Sequence, residues 1–227
     1  EDGMPKERYA AYHAEKAKGG LALTMTAGTA VVSPDSPPAF GNLFAYDDAI
    51  VPWIQRLTDG IHEHGCAAMI QISHLGRRTG WGQNDWLPVL APSRLREPAH
   101  RTHPKEAEDW DIRRIIGHYA DAAERMQAGG MDGVEVEGYG HLFDQFLSPA
   151  TNHRTDEYGG SIENRARLLV EIVTAVRKVI GNRLALGVRI CGDELIDGGT
   201  TIDDAVRIAQ IAEATGQVDY INTSIGV

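Results

Sequence analysis

The feature that most limits the fold of this chain is a regular alternation of helical and strand patterns. Each apolar run of strand length follows a segment with helical periodicity. The runs occupy residues 21–26, 66–73, 132–137, 184–190 and 218–224. Strict alternation of this kind predicts parallel strands joined by right-handed helical crossovers. The chain is therefore expected to be an α/β protein.

Two architectures satisfy this order, a doubly wound sheet and an eight-stranded (β/α)8 TIM barrel. The barrel is favoured because the loops after strands are long and polar, and because no glycine-rich phosphate fingerprint follows the first strand. Both ends look cut, since residues 1–20 open in a helical pattern and INTSIGV runs off the last residue as a strand. We expect a partial barrel over residues 1–227, one domain truncated at both ends.

The charge balance excludes several kinds of partner. The chain has 22 basic and 32 acidic residues and a formal charge of −10, which disfavours nucleic acid and anionic membranes. No apolar run approaches the roughly 20 residues of a membrane span. Cys66 and Cys191 lie in apolar contexts without metal-ligand spacing, so we interpret them as buried thiols of a reducing compartment, with a disulfide as the alternative. A cytoplasmic protein without a metal site is expected.

One strand carries carboxylates on alternate positions. Val134 and Val136 point one way while Glu135 and Glu137 point the other, so two acids share one face. Acids in a strand flanked by helices need a partner or a function. Glu135 is expected to pair with a basic residue inside the barrel. Glu137 stands at the C-terminal strand end, where barrel enzymes place their chemistry, and is the candidate catalytic residue.

Polar residues surround this strand end. Tyr139 and His141 follow Glu137 in the chain and either serve the chemistry or only pack and cap the loop. The strand at 66–73 delivers HLGRR, with His74 and Arg77, to the same rim of the barrel. A long loop from His74 to about Glu108 contains Trp81 and Trp86, and a loop of that length is typical of a lid or a binding loop.

The stretch from Asp132 to Arg167 also carries a family resemblance. DGVE, DQFLSP and TNHRTDEYGGSIENRAR resemble the signature of the old yellow enzyme family, flavin-dependent barrels that include ene-reductases, dienoyl-CoA reductases and trimethylamine dehydrogenase. GGLALTMTAGTAVV, MIQISHLGRR, LALGVRI and VDYINTSIGV resemble that family's second, third, fifth and sixth strands. The resemblance implies a barrel without its first and last two strands. The basic and acidic residues from Arg154 to Arg167 are expected to fix their loop.

The resemblance implies FMN as the cofactor, with part of its site in this chain. Gln71 is expected to bond the flavin pyrimidine through its amide, and Arg189 to stabilise negative charge near flavin N1. Gly28 would let the second strand approach the flavin closely. Larger family members carry a 4Fe-4S cluster and a domain for FAD or NAD(P)H after the barrel, so these are further cofactors to consider in C-terminal regions.

Glu137 departs from the family pattern in a way that bears on the reaction. Ene-reductases of the family carry at this place the first histidine of a His-x-x-His or His-x-x-Asn pair, which binds the substrate carbonyl. An ionised carboxylate has no proton to donate and repels a developing enolate, but it attracts a cationic amine. VEVEGYGH also resembles the demethylases of dimethylglycine and N-methylproline.

We therefore expect an FMN-dependent oxidoreductase that removes an N-methyl group by hydride transfer to flavin N5 and releases formaldehyde. Glu137 is expected to attract the ammonium group of a methylated amine or amino acid, and Tyr139 and His141 to take its proton. His74 and Arg77 are expected to bind a substrate carboxylate. Two alternatives stay open: an ene-reductase or 2,4-dienoyl-CoA reductase that uses NAD(P)H, and a non-catalytic barrel module. A homo-oligomer or an electron-transfer partner is also open.

Overall fold

A computed structural model describes residues 2–36, 38–39, 41–79 and 87–226, with only the backbone described for residues 27–29. Trp81 and Trp86 of the expected lid fall outside the described residues. The helices are α1 (Glu7–Lys18), α2 (Val51–His62), α3 (Asp109–Ala128), α4 (Leu142–Leu147), α5 (Ile162–Arg165), α6 (Arg167–Ile180) and α7 (Ile202–Ala214). The strands are β1 (Leu23–Val31), β2 (Leu43–Phe44), β3 (Ala67–Ser73), β4 (Leu90–Ala91), β5 (Lys105–Glu106), β6 (Gly133–Glu137), β7 (Ala185–Asp193) and β8 (Tyr220–Ile225).

The strands form one parallel sheet of six, in the order β2-β1-β3-β6-β7-β8. Every pairing within it is parallel, and helices connect the five long strands in chain order. This arrangement confirms the α/β class and the partial TIM barrel. The five long strands are those that the alternation predicts, and their C-terminal ends share one rim.

The outer layer of helices buries the apolar stripes that the periodicity predicts. On α6 the residues Leu168, Leu169, Ile172, Val176 and Ile180 are all at most 1% exposed, and each such side chain contributes about 1.5–3 kcal/mol when fully buried. These side chains join one continuous core with the outward valines of β6. The helices therefore hold the sheet from outside and leave its inner face for polar residues.

The family signature between β6 and α6 is mostly structural. Arg154 Nη1 donates to Ala107 O at 2.6 Å, Arg165 Nε to Leu147 O at 2.6 Å, and Arg167 Nε to Glu157 O at 2.8 Å. Ser161 caps α5 by accepting from the Asn164 N–H at 3.3 Å. These contacts confirm that the charged residues of the signature fix the loop.

Two further findings concern membranes and metals. Within the described residues, no helix combines the length and the apolar character needed to cross a bilayer. The same part of the chain contains no cluster of three histidine, cysteine or acidic side chains arranged to hold a metal ion. Cys66 and Cys191 are both buried free thiols.

Candidate active site

Strand register places the candidate residues in two levels on the inner face of the sheet. Gln71 of β3 pairs with Glu135 of β6, and Glu137 pairs with Arg189 of β7. Residues two apart on a strand share a face, so Gln71 and Glu135 lie one level below Glu137 and Arg189. Ser73, two residues after Gln71, belongs to the upper level. The sheet thus brings together Gln71, Glu137 and Arg189, which come from three different strands.

Glu135 is fully buried and its carboxylate accepts three hydrogen bonds. The donors are Gln71 Nε2 at 2.7 Å, Tyr220 Oη at 3.0 Å and Asn222 Nδ2 at 3.1 Å. None of the three is basic, so the expected basic partner is wrong and neutral donors take its place. Burial, followed by the nearby Glu135 charge, raises the pKa of Tyr220 well above its usual range. Tyr220 therefore remains a hydrogen-bond donor.

Glu137 is 3% exposed and forms a pair with His141. Glu137 Oε2 and His141 Nδ1 are in direct hydrogen-bond contact. Because a carboxylate only accepts, Nδ1 carries the proton of this bond. Ser73 Oγ lies 3.0 Å from the same nitrogen and donates to the Glu137 carbonyl at 2.8 Å. The candidate catalytic carboxylate of the sequence analysis is thus half of a carboxylate–imidazole pair.

The second carboxylate oxygen of Glu137 and the second ring nitrogen of His141 do not take part in this hydrogen bond. Among the described residues, Glu137 Oε1 and His141 Nε2 have no hydrogen-bond partner, and neither atom is sealed from solvent. His141 stands at the N-cap of α4, and its backbone N–H donates to Gly138 O at 2.6 Å. This short turn places the imidazole beside the strand end. One carboxylate oxygen and one ring nitrogen can therefore meet a ligand.

Tyr139 and Arg189 contact each other next to the pair. The Arg189 guanidinium carbon lies 5.6 Å from the centroid of the Tyr139 ring, and Arg189 Nε donates to Ser224 Oγ at 2.9 Å. Tyr139 Oη donates to Ile225 O at 3.1 Å. The hydroxyl group of Tyr139 is thus already used to connect the loop to the end of β8, and Arg189 is held between that ring and β8.

His74 does not lie with the other candidates. Ser73 faces inward, so the next side chain turns outward toward α3, and the His74 ring is 0% exposed. Its Nε2 lies 3.1 Å from Asp35 Oδ1, and its Nδ1 accepts from the Gly76 N–H at 3.1 Å. Both ring nitrogens are occupied within the chain. We therefore correct the expectation of substrate binding and interpret His74 as a structural residue.

Asp35 shows why His74 is held there. Burial alone would raise the pKa of this carboxyl, but hydrogen bonds from His74, Arg114 and Ser33 hold the pKa well below its usual range. Arg114 of α3 forms an ion pair with Asp35, and His118 Nδ1 lies 2.8 Å from Ser33 Oγ. This cluster fixes the end of β3 to α3, on the opposite side of the sheet from Glu137.

Arg77 lies in a pocket of about 290 Å³ at the rim. Its Nη1 donates to Leu95 O at 3.2 Å, and burial lowers the pKa of its guanidinium. Asp144 also lines the pocket, where burial raises the pKa of its carboxyl to about 7 while it accepts from the Gly140 N–H at 2.9 Å. Gly140, next to His141 in the chain, lines this pocket, whereas Glu137 and His141 are not among its lining residues.

Two residues of the rim were not among the candidates. Ser73 is detectable in the sequence, because it occupies the next inward position after Gln71 on β3. Arg78 has no such signal, since it follows the strand in a turn of HLGRR whose direction no periodicity gives. Arg78 lines the same pocket as Arg77, and its Nη1 lies against Gly140.

The inner face offers groups that fit part of an FMN site. Gln71 Oε1 and Arg189 Nη1 have no hydrogen-bond partner among the described residues, while their other polar atoms are held by Glu135 and Ser224. A fixed amide and a fixed guanidinium match a flavin pyrimidine, which both donates and accepts hydrogen bonds and gains negative charge on reduction. Gly28 belongs to residues 27–29, whose surroundings lie outside the described part.

Two known proteins are similar to this chain over nearly its whole length. The chain is 58% identical over 222 residues to a protein named "Probable N-methylproline demethylase" of Rhizobium meliloti (strain 1021), covering 98% of this chain and 33% of that protein. It is 43% identical over 225 residues to "Multifunctional alkene reductase/demethylase OYE" of Caballeronia cordobensis, covering 99% and 33%. The chain thus spans about a third of the length of these relatives.

A solved structure with the same fold and a family profile both match this chain. A 2-naphthoyl-CoA reductase in complex with 2-naphthoyl-CoA is 30% identical, with a TM-score of 0.91 over 99% of this chain and 36% of that chain. The sequence profile of the NADH:flavin oxidoreductase / NADH oxidase family matches residues 1–225. The profile covers nearly the whole chain, and the solved structure shares its fold. The chain therefore belongs to the NADH:flavin oxidoreductase / NADH oxidase family.

Proposed function

We propose that this chain forms part of an FMN-dependent enzyme that oxidatively demethylates an N-methylated amine or amino acid. The observation that carries the proposal is the buried Glu137 carboxylate, which is held by His141 through one oxygen and open through the other. A buried negative charge favours a cationic ligand that compensates it. The relative named as an N-methylproline demethylase supports this class of substrate.

The pair supplies both binding and proton transfer. Glu137 Oε1 attracts the ammonium form of the substrate, which orients the nitrogen at the rim. The nitrogen must lose its proton before its lone pair can assist the oxidation. His141 accepts that proton at Nε2, because Nδ1 is already bonded to Glu137, and the carboxylate then stabilises the imidazolium.

The groups of the lower level and of β7 position the cofactor. Bound FMN would supply the redox step by accepting a hydride at N5 from the N-methyl carbon. The oxidised substrate, an iminium, then adds water and splits into formaldehyde and the demethylated amine. Gln71 would hold the pyrimidine, and Arg189 would stabilise negative charge on the flavin. Gly28 remains assigned to close contact with the flavin.

The hydroxyl of Tyr139 is hydrogen-bonded to β8. In this proposal Tyr139 therefore holds Arg189 in place through its ring and does not transfer protons. Arg77 remains near the substrate as a pocket residue, although its guanidinium contacts the Leu95 carbonyl.

We also propose a cytoplasmic location, which the two buried free thiols support. An electron-transfer partner would reoxidise the reduced cofactor and so complete the catalytic cycle, and a homo-oligomer is the alternative partner.

Reduction of an activated C=C bond with NAD(P)H is a second candidate. A relative whose name includes both alkene reductase and demethylase favours it. In that reaction His141 Nε2, when protonated, would donate to the substrate carbonyl. The open polar atoms of Gln71 and Arg189 favour either flavin reaction over a non-catalytic module.

The two reactions can be separated with the flavin-loaded enzyme. Formaldehyde release is measured with N-methylproline and dimethylglycine, and NAD(P)H consumption is measured with cyclohexenone. We expect formaldehyde in the first assay at a kcat/KM at least tenfold higher than that of the enone reaction. A higher kcat/KM for cyclohexenone, or no formaldehyde, would instead favour the reductase.

A further inference from the structure

The pocket beside the Glu137–His141 pair contains charged side chains, and only some of them have hydrogen-bond partners within the chain. Its three acids all have partners in the chain. Glu194 Oε2 accepts from Ser148 Oγ at 2.6 Å, Glu97 Oε2 accepts from the His100 N–H, and Asp144 accepts from Gly140. These carboxylates are therefore structural lining rather than open ligands.

The two arginines of the pocket are not equivalent. Arg77 donates to the Leu95 carbonyl. Arg78 is half-buried, and its guanidinium has no hydrogen bond or ion pair within the described part of the chain. A guanidinium is always charged and presents a planar set of donors that fits a carboxylate in a bidentate way. A half-buried guanidinium without a partner is a ready site for such a group.

Arg78 contacts the turn that carries His141. Its Nη1 lies where a Cβ atom on Gly140 would come within 2.1 Å, so the guanidinium rests directly on the turn between Tyr139 and His141. That turn carries His141 to Glu137. The turn from Tyr139 to His141 thus contacts a negative group, Glu137, and a positive group, Arg78.

We propose that Arg78 binds the carboxylate of the substrate and thereby selects N-methylated amino acids over simple methylated amines. This inference rests on the proposed function, because it takes Glu137 as the site of the ammonium group. A zwitterionic amino acid carries its ammonium and its carboxylate on the same carbon, and Glu137 and Arg78 contact the same turn, one through His141 and the other at Gly140. The role that the sequence assigned to His74 and Arg77 passes to Arg78.

The test uses ligands that bind without being demethylated. In the flavin-loaded enzyme, the flavin absorbance is titrated with L-proline, which has a carboxylate, and with pyrrolidine, which lacks one. We expect Arg78→Met to raise the Kd of proline about 10- to 100-fold, as for loss of a charge-assisted hydrogen-bonded pair. The Kd of pyrrolidine should change less than twofold. Arg78→Lys should give an intermediate value for proline.

The controls separate this inference from the proposed reaction. Arg183→Met, on the turn between α6 and β7, should leave both constants unchanged, and equal flavin content should show that each variant folds. An unchanged Kd of proline in Arg78→Met, equal effects on both ligands, or no spectral response to proline in the wild type would each overturn the carboxylate site. If proline binding depends on Arg78 but N-methylproline yields no formaldehyde, only the demethylase proposal fails.

Discussion

The two glutamates of β6 differ in which atoms surround them. Glu135 is saturated by three neutral donors, whereas Glu137 has one imidazole and one open oxygen. The alternation in the sequence predicts that both face inward, but it cannot predict their partners. Those partners come from β3, from β8 and from the loop after β6, and the register between strands is a property of the whole sheet.

Glu135→Gln tests this interpretation of the lower level. The amide nitrogen that replaces one carboxylate oxygen would face the donors of Gln71, Tyr220 or Asn222, so one buried donor loses its acceptor. We expect the free energy of unfolding to fall by about 1–3 kcal/mol, measured by urea denaturation. Glu157→Gln, an exposed change in the same residue type, serves as the control and should alter stability by less than about 0.5 kcal/mol.

Asp144 gives a pH-dependent prediction. Burial raises the pKa of its carboxyl to about 7 in the folded chain, from a usual value of 3.8. The folded state therefore holds this proton more tightly, so its stabilising effect is present below pH 4 and is lost as the pH rises toward 7. We expect the unfolding free energy of the wild type, relative to Asp144→Asn, to decrease between pH 4 and pH 7. A constant difference across this range would show that the carboxyl does not titrate there.

The elements follow the sequence closely where a local signal exists. Thr201 and Asp204 form a capping box at the start of α7, with the Asp204 N–H donating to Thr201 Oγ1 at 3.3 Å and the Thr201 N–H donating to Asp204 Oδ2 at 3.1 Å. The helical pattern that follows Ser161 in the sequence forms two helices, α5 and α6, that meet at Ala166. Its side chains keep the apolar pattern across the break, which is why periodicity alone does not reveal it.

Other elements had no local signal. β4 and β5 are strands of two residues within the long loop after β3, and Leu90 pairs there with Lys105. Ladders this short are fixed by tertiary contacts, such as the bond from Arg154 Nη1 to Ala107 O, rather than by strand propensity. The long, polar loops after the strands nevertheless lie at the end of the sheet where Glu137, His141 and Arg189 come together.

Thr201→Ala tests the capping of α7. The substitution removes the side-chain oxygen that accepts from the Asp204 N–H, and we expect a loss of about 1 kcal/mol in unfolding free energy. Thr201→Ser keeps the hydroxyl group and should retain most of the stability in the same urea titration. If alanine and serine gave equal stabilities, the cap would contribute nothing.

At the scale of the whole molecule, the sequence predicted the partial barrel and the family, because both depend on long patterns. The site was predicted in part. Gln71, Glu137 and Arg189 lie together on neighbouring strands, because the strand ends meet at one rim independently of the conformation of the loops. The loop and turn residues were harder to place, because the orientation of His74 and Arg78 depends on contacts with Asp35 and with Gly140.

The central claim is that the charge of Glu137 binds a cationic amine at this rim. The most direct test is Glu137→Gln in the flavin-loaded enzyme, with formaldehyde release from N-methylproline measured against Glu157→Gln. Loss of a charged hydrogen-bond partner predicts a kcat/KM about 10- to 100-fold lower in the first variant and unchanged in the second. A kcat/KM equal to that of the wild type in Glu137→Gln would contradict the account.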